Sequence, residues 1–452
     1  MASVLEQISG IVWGPYLLVP LLLLTGLYLT ALLRGLQFRT LGWALWYGLV
    51  RRREDDADGD ITHYQALTTA LAATVGVGNI AGVATAIYLG GPGAVFWMWV
   101  TGLVGMATKY CEAFLGVRFR RVDEAGEQVG GPQTYLRQAV PGPVGAALAA
   151  AFAIAASIAA FGIGNMVQAN TVAHELQTQF GVPAGATGLV LTLLTGIVLL
   201  GGIRSIGRVT ALFVPAMVGL YLLGAAWVLV AHAGALPATI ALIFSDAFTG
   251  TAAAGGFAGA SVAAAMRFGV ARGIFSNESG LGTGGIAAAA AQTSHPVRQA
   301  LVSMTQTFID TLIVVSATAL VILVTGSWTS GHTGAPLTSL AFSRGLPGEW
   351  GGIVVTLGVV FFAYSTLIGW AYYGERNVET LFGRRSVAPY RLVFVLAVYV
   401  GAVTELELVW TFADIMNGLM ALPNLVGLLL LSGLVVRETK AYFAQPDWRD
   451  RG

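Results

Sequence analysis

Midway along the apolar segment 66–90, the chain reads Thr74-Val75-Gly76-Val77-Gly78-Asn79-Ile80-Ala81-Gly82. This glycine-rich run falls where a membrane helix would cross the middle of the bilayer. Backbone without helical hydrogen bonds is tolerated at that depth only where it is buried in protein or lines a cavity. Many secondary transporters hold ions and substrates at broken helices of this kind. The run is therefore the first candidate for a functional site.

The composition identifies a membrane protein. Of 452 residues, 56% are hydrophobic and only 10% are charged, and the mean hydropathy is +0.74. A soluble domain carries about a quarter charged residues. The single cysteine, Cys111, excludes an internal disulfide, an iron–sulfur cluster and a cysteine-based zinc site. The N-terminus lacks the basic region of a signal peptide, so the first apolar run is expected to remain as a helix.

Apolar runs long enough to span a hydrocarbon core of ~30 Å predict about eleven membrane helices, at 13–33, 64–90, 94–117, 144–170, 185–202, 209–231, 237–266, 299–325, 351–375, 389–404 and 410–436. With the N-terminus outside, the inner segments and adjacent helix ends hold 23 of the 24 Lys and Arg residues, and only Arg344 falls outside. Basic residues favour the cytoplasmic side. We therefore expect a multi-pass protein of the plasma (inner) membrane with a cytoplasmic C-terminus.

The predicted fold is all-α, with one extra N-terminal helix and two halves of five helices. An odd number of helices in each half places the halves in opposite orientations, as in inverted-repeat transporters. The expected divisions are 1–63 (N-terminal helix and cytoplasmic loop), 64–233 (first repeat), 234–436 (second repeat) and 437–452 (cytoplasmic tail). The second repeat would then carry its own break, at the glycine-rich run 249–259 that includes Gly255, Gly256 and Phe257. Alternatively, these glycines permit close helix packing.

A cation site is predicted on the helix at 351–375. Phe362, Ser365, Thr366 and Trp370 share one face at spacings i, i+3, i+4 and i+8. Two hydroxyl oxygens, with free carbonyls from Thr74 and Val77 of an unwound helix opposite, would supply hard oxygen ligands and no carboxylate, a set that suits a weakly held monovalent cation. Alternatively, the hydroxyls bond back to carbonyls of their own helix.

Polar residues on the helix at 144–170 are candidates for substrate binding. Phe161, Asn165 and Gln168 lie on one stripe. Side-chain amides both donate and accept hydrogen bonds, so Asn165 and Gln168 could bind the carboxylate or ammonium group of a zwitterion. The alternative is that they join neighbouring helices.

Charged residues in the apolar segments are candidates for coupling or gating. Asp310 lies near the centre of the helix at 299–325, where a carboxylate marks a functional site by default; it would either titrate or ligate a cation, or act as a structural acceptor. Lys109 and Glu112, three residues apart, are expected to pair structurally. The segment 272–283 is interpreted as an inner gate hinge or a packed connector, with Arg272 and Glu278 as gate partners.

Several long motifs in the chain resemble the alanine or glycine:cation symporter family. They are TVGVGNIAGVATAI (74–87), GGPGAVFWMW (90–99), RFGVARG (267–273), FSNE (275–278), FIDT (308–311) and DIMNGLMALPN (414–424). The resemblance runs from about 60 to 437. Val77 departs from it, because the family often has threonine there, as do Ser279 and the run 283–285.

The resemblance implies the five-plus-five inverted-repeat fold of the amino acid–polyamine–organocation superfamily, often called LeuT-like, and import of alanine or glycine with sodium or protons. It places the shared sodium site on the carbonyls of Thr74, Val77 and Phe362 and the hydroxyls of Ser365 and Thr366. The amino-acid site falls on Gly76, Val77, Gly78 and Asn79, the second break, and the faces that carry Asn165 and Trp370.

We therefore expect a secondary active symporter that couples import of a small neutral amino acid to sodium by alternating access, with Phe161, Phe257 and Trp370 limiting the cavity. A proton-coupled transporter of the same superfamily and an uncoupled amino-acid channel or sensor remain alternatives. The sequence has no HExxH motif, Cys–His pair or serine elbow, so an enzyme is not expected. The expected partners are the amino acid, sodium or protons, and the bilayer, without nucleic acid or an organic cofactor.

Overall fold

The structure is a computed structural model that describes residues 2–14, 16–54, 57–249, 262–404, 407–446 and 448. Within these residues the chain is almost entirely helical. Its α-helices are α1 (Ala2–Val12), α2 (Leu18–Leu32), α3 (Leu36–Trp46), α4 (His63–Thr74), α5 (Val83–Gly90), α6 (Gly93–Arg118), α7 (Pro132–Ala139), α8 (Gly142–Phe161), α9 (Val167–Phe180), α10 (Ala184–Leu200), α11 (Gly202–Ala231), α12 (Leu236–Thr249), α13 (Val262–Asn277), α14 (Thr283–Ala289), α15 (Pro296–Thr307), α16 (Ser316–Val324), α17 (Gly334–Gly345), α18 (Trp350–Phe382), α19 (Val387–Val403) and α20 (Glu407–Phe443). Strands β1 (Arg121–Val122) and β2 (Gln128–Val129) form one antiparallel hairpin.

By length and composition, six helices in the described ranges are able to cross a membrane, or up to eight if each of two bent pairs is one span. The six are Gly142–Phe180, Gly202–Ala231, Pro296–Val324, Trp350–Phe382, Arg384–Val403 and Thr411–Phe443. The bent pairs are Leu18–Leu32 with Leu36–Arg51, at 84°, and His63–Thr74 with Gly78–Gly90, at 54°. The all-helical membrane class is thus confirmed, whereas the count of eleven stays a prediction.

In the described ranges, four π-helical segments, each with a wider turn than an α-helix, interrupt or extend these helices: Tyr47–Arg51, Gly78–Gly82, Gly162–Met166 and Phe308–Val315. Such segments are rare and frequent at functional sites. The last three contain Asn79, Asn165 and Asp310, which are all candidate residues from the sequence. The wider turn therefore occurs where the helices present buried polar side chains.

The helices pack as two groups. Helices α4, α5, α6 and α13–α15 contact one another, and α8–α10, α18 and α19 form the second group. The groups meet where α4 crosses α18. A Cβ at Gly369 would lie 2.7 Å from the backbone nitrogen of Ala73, so only glycine allows this approach. The candidate site lies at this junction.

Part of the segment that was predicted as an inner connector is helical. We expected a span at 237–266 followed by an inner segment at 267–298, yet α13 continues as helix from Val262 to Asn277. Arg267 and Arg272 lie on this helix beside Asp414, in a cleft that also contains Ser9 of α1. They therefore lie on a helix rather than in a loop.

Candidate functional site

The first broken helix is stabilised by its own asparagine. Helix α4 ends at Thr74, and Val75 leaves the helical region at φ −76° and ψ 86°. The side chain of Asn79 accepts a hydrogen bond from the Gly76 amide at 2.9 Å, and the Asn79 amide donates to the Gly76 carbonyl at 3.1 Å. These two bonds replace the helical bonds that the break removes, so the break predicted at 74–82 is confirmed.

A second break, at residues where none was predicted, packs against the first. Helix α13 ends at Asn277, and three residues have left-handed backbone: Glu278 (φ 57°), Gly280 (φ 95°) and Gly282 (φ 94°). Helix α14 then begins at Thr283. A Cβ at Gly78 would lie 3.2 Å from the Phe275 ring, so the two breaks are in contact. The predicted second break at 249–259, with Gly255, Gly256 and Phe257, lies outside the described residues from Gly250 onward.

Asp310 connects the two broken helices. Its carboxylate accepts hydrogen bonds from Asn79 Nδ2 at 2.7 Å, from Ser276 Oγ at 2.9 Å and from Thr311 Oγ1 at 2.9 Å. Asn79 follows the first break and Ser276 precedes the second. The side chain of Asp310 is fully buried. Three side-chain donors therefore meet its carboxyl oxygens in this conformation, and its role in coupling stays a prediction.

The hydroxyl groups of α18 do meet carbonyls of α4, but two residues earlier than predicted. Ser365 Oγ lies 3.1 Å from the Ala72 carbonyl, 3.3 Å from the Val75 carbonyl and 2.8 Å from the Phe362 carbonyl. Thr366 Oγ1 lies 3.3 Å from the Ala72 carbonyl and 3.0 Å from the Phe362 carbonyl.

The carbonyls that face these hydroxyls are therefore those of Ala72 and Val75, rather than those of Thr74 and Val77. The Thr74 hydroxyl instead donates to the Ala70 carbonyl and accepts from Gln306 Nε2. A spacing of three residues places Ala72 and Val75 on the same side of the last helical turn. The five oxygens that converge here belong to Ala72, Val75, Phe362, Ser365 and Thr366.

The predicted polar residues on α8 and α9 make different contacts. Asn165 Nδ2 donates to the Phe394 carbonyl of α19 at 2.7 Å, and the Phe161 ring packs on Tyr390 and Phe394. These two residues therefore join helices. Gln168 Nε2 instead donates to the Ile163 carbonyl at 3.0 Å, and its Oε1, like Asn165 Oδ1, is buried without a hydrogen-bond partner in the described residues. Gln168 Oε1 lies 3.8 Å from the position of a Cβ on Gly76.

Trp370 and Glu278 form one side of the second break. Trp370 Nε1 donates to Glu278 Oε1 at 2.9 Å, and Thr283 Oγ1 donates to Glu278 Oε2 at 2.6 Å. Arg272 lies beside Asp414 instead. The expected pairing of Arg272 with Glu278 is therefore absent from this conformation, because both oxygens of Glu278 are bound to neighbours of the second break.

The second break is stabilised by a buried acid, Glu112, which was not predicted as part of the site. Glu112 Oε1 accepts from the amides of Gly280 at 2.8 Å and Gly282 at 3.0 Å, and from Asn424 Nδ2 at 2.9 Å. Lys109 lies 3.6 Å from Glu112, so their predicted pairing is confirmed. The only sequence signal was the presence of an acid in an apolar helix.

An ion-pair network at one end of α18 was also not predicted from the sequence. Arg376, 1% exposed, pairs with Asp123 at 3.3 Å and Glu127 at 2.9 Å on the β1–β2 hairpin, and with Glu375 at 2.6 Å. Arg384 pairs with the same two hairpin acids. The hairpin follows α6 of one helix group, whereas Arg376 belongs to the other. The network therefore connects the two groups at the end of the molecule that is rich in basic residues.

Paired broken helices with buried polar contacts are typical of multi-pass membrane transporters. The structure is similar to a variant of the manganese transporter of Eremococcus coleocola, with a TM-score of 0.52, 16% identity and coverage of 85% of this chain and 82% of that one. A second variant of that transporter matches with a TM-score of 0.51. At this identity the similarity shows the fold alone, which is LeuT-like.

Sequence comparison then identifies the family. The pattern of the sodium:alanine symporter family matches residues 1–451, and the chain belongs to this family. It is 51% identical to the sodium/alanine symporter AgcS of Methanococcus maripaludis, covering 97% of both chains. It is 36% identical to the probable sodium/glutamine symporter GlnT of Bacillus subtilis, covering 98% of this chain and 92% of GlnT. The resemblance read from the sequence motifs is confirmed, and the chain is a transporter rather than an enzyme.

Proposed function

We propose that this chain is a symporter that couples import of alanine, or another small neutral amino acid, to sodium by alternating access. The relative at 51% identity is named for sodium and alanine. The observation that carries the proposal is the set of five oxygens around Ser365 and Thr366. These residues supply no carboxylate, and hard oxygen ligands suit a monovalent cation.

The cation site explains how ion binding would affect conformation. Ala72 and Val75 belong to the broken helix and its break, whereas Phe362, Ser365 and Thr366 belong to α18. A sodium ion bound to all five oxygens would stabilise the conformation in which α4 and α18 are in contact. A ligand shifts a conformational equilibrium only by its differential affinity for the two states. Release of sodium on the inner side would therefore permit the two helix groups to separate.

The amino acid would bind beside the cation, between the breaks. The N-terminus of the half-helix that follows Val77 carries a partial positive charge that favours the substrate carboxylate. The unpartnered Oε1 of Gln168 is an acceptor for the ammonium group. Trp370 packs directly against Gly164, where a Cβ would lie 2.3 Å from Trp370 Cβ, and its indole would limit the length of the substrate side chain.

The arrangement in two inverted halves belongs to the same proposal. It comprises eleven spans, with repeats at 64–233 and 234–436, the N-terminus outside and the C-terminus in the cytoplasm. The LeuT-like fold supports it, and so does the position of both breaks next to Asp310. The break of the second half is now assigned to 278–282.

The test is uptake of radiolabelled alanine into proteoliposomes, with sodium and proton gradients imposed separately. We expect accumulation above equilibrium with a sodium gradient alone. Thr366→Val, which removes the hydroxyl at nearly constant volume, should weaken the apparent sodium affinity at least about tenfold, equivalent to one lost hydrogen bond or ligand of about 1.4 kcal/mol. Thr366→Ser retains the hydroxyl and is the matched control.

Three outcomes would overturn parts of this proposal. Uptake driven equally well by a proton gradient without sodium would replace sodium with protons as the coupling ion. Uptake that never exceeds equilibrium would favour an uncoupled channel. An unchanged sodium affinity in Thr366→Val would remove the cation site from α18.

A further inference from the structure

A cavity at the basic end of the molecule has the chemistry of a lipid site. It has a volume of about 650 Å³ and lies between the bend that joins α2 to α3 and the last turns of α20. Three basic side chains line it: Arg34, Arg39 and Lys440. All three are exposed, and none forms a salt bridge within the described part of the chain.

The remaining wall of the cavity is apolar and is contributed by both helices. Leu33 and Leu36 come from the bend, and Val436 and Phe443 come from α20. Trp448 closes one side, with its ring 4.8 Å from that of Phe443. A small soluble anion would leave this apolar wall uncovered. A molecule that combines an anionic headgroup with hydrocarbon chains would contact both surfaces.

The bend itself has the geometry of an element at the membrane boundary. The axes of the two helical segments differ by 84°, and Arg34 and Gly35 at the corner have left-handed backbone. Helix α3 exposes Phe38 and Trp46 while it buries Gln37. Exposed Trp side chains are typical of helices at the membrane–water interface. At such an interface the three basic side chains would face the lipid headgroups.

We propose that this cavity binds an anionic glycerophospholipid, with its phosphodiester on Arg34, Arg39 and Lys440 and its acyl chains against the leucines of the bend and Phe443. Basic pockets between membrane helices on the cytoplasmic side bind anionic headgroups. The lipid would join α2 and α3 to α20, which are far apart in sequence. The proposal is independent of the transported substrate.

The test measures binding of dioleoylphosphatidylglycerol to the purified full chain in neutral detergent, by native mass spectrometry, with dioleoylphosphatidylcholine as the neutral lipid. A basic side chain near an anionic lipid contributes about fivefold in affinity. We therefore expect the triple variant Arg34→Gln, Arg39→Gln and Lys440→Gln to bind phosphatidylglycerol on the order of 100-fold more weakly.

The matched control neutralises three exposed basic residues at the same end of the molecule, Arg121, Arg137 and Arg385, and changes the net charge equally. It should bind the lipid as the wild type does. If the triple variant does not fold, Lys440→Gln alone, on the exposed face at the end of α20, should still weaken binding about fivefold.

Inorganic phosphate and glycerophosphate distinguish a lipid from a free anion. If either of them competes with phosphatidylglycerol at concentrations comparable to that of the lipid, the cavity is a soluble-anion site and the proposal is wrong. The proposal is also wrong if phosphatidylcholine binds as tightly as phosphatidylglycerol, or if both triple variants bind the lipid within twofold of the wild type.

Discussion

Asn79 donates a hydrogen bond from Nδ2 to Asp310 Oδ1 at 2.7 Å, across 231 positions of sequence. The same asparagine accepts the Gly76 amide, so one side chain both stabilises the first break and attaches it to Asp310. Ser276 attaches the end of α13 to the other oxygen. The relative position of the two breaks therefore depends on one carboxylate.

Replacement of Asp310 by asparagine should abolish most transport without loss of expression. The introduced side-chain amide would present a donor where the carboxylate receives donors from Asn79, Ser276 and Thr311. A hydrogen bond to a charged group contributes about 1.5–3 kcal/mol, so we expect uptake to fall by at least about tenfold. Initial uptake rates in proteoliposomes at matched protein content measure this.

Ser276→Ala is the milder companion of that variant, because it removes one donor and leaves the carboxylate and the Asn79 bond in place. It should retain more activity than Asp310→Asn. Equal activity of Asp310→Asn and wild type would show that the carboxylate is not needed to position the breaks.

The helix faces were predictable from side-chain spacing, but the backbone at the breaks was not. Ser365 and Thr366 lie on the predicted face because i, i+3 and i+4 positions coincide on a helix. Their carbonyl partners were misassigned by two residues, since Ala72 and Val75 have no polar side chain to mark them. A carbonyl ligand is defined by where the helix ends, and that end depends on tertiary contacts such as those of Asn79.

The break at 278–282 was not predicted from the sequence for a related reason. The run 249–259 has more glycines, whereas 278–282 contains an acid that was interpreted as part of a cytoplasmic gate. Glu278 lies in the left-handed region because Glu112, remote in sequence, holds the Gly280 and Gly282 amides. Local sequence contains no signal for such a distant partner.

Gly76→Ala should impair the cation site directly. A Cβ at Gly76 would lie 2.5 Å from Thr366 Oγ1, so the hydroxyl has to move away from the Ala72 carbonyl. We expect a loss of apparent sodium affinity comparable to that of Thr366→Val. Gly82→Ala is the matched control, because nothing lies within 4 Å of its Cβ position and its φ is −64°. Sodium titration of alanine uptake distinguishes the two, and equal effects would contradict the assignment.

Arg376→Met should destabilise the chain because it removes the buried cation that three acids share and leaves only the more exposed Arg384 and Arg391 to pair with them. Asp123, Glu375 and Glu379 are each at most 5% exposed and lie within 3.3 Å of Arg376. Removal of one partner from a buried ion pair costs about 3–5 kcal/mol. Arg385→Met, one residue from Arg384 but exposed, is the control and should change stability by less than about 0.5 kcal/mol. Thermal unfolding in detergent measures both, and a similar Tm for the two variants would show that the network contributes little.

The contacts of Glu54 predict how the stability of the folded chain depends on pH. It pairs with Arg298 at 2.5 Å and accepts hydrogen bonds from Ser294 and Tyr47. Burial opposes ionisation of Glu54, but the Ser294 hydrogen bond and the Arg298 charge outweigh it and lower the pKa below its ordinary value of 4.5. A carboxyl whose folded pKa is lowered contributes stability above its unfolded pKa, and that contribution is lost as the pH falls through the folded pKa.

We therefore expect the contribution of Glu54 to the Tm of the wild type to be constant above about pH 5.5 and to fall as the pH decreases below 4.5. Glu54→Gln should lower the Tm at neutral pH, because Arg298 loses its partner, and should reduce the slope below pH 4.5. Glu124→Gln, a matched control at an exposed acid of the β1–β2 turn, should reproduce the wild-type slope. The assignment is wrong if Glu54→Gln retains that slope, since the acid dependence would then arise from other carboxylates.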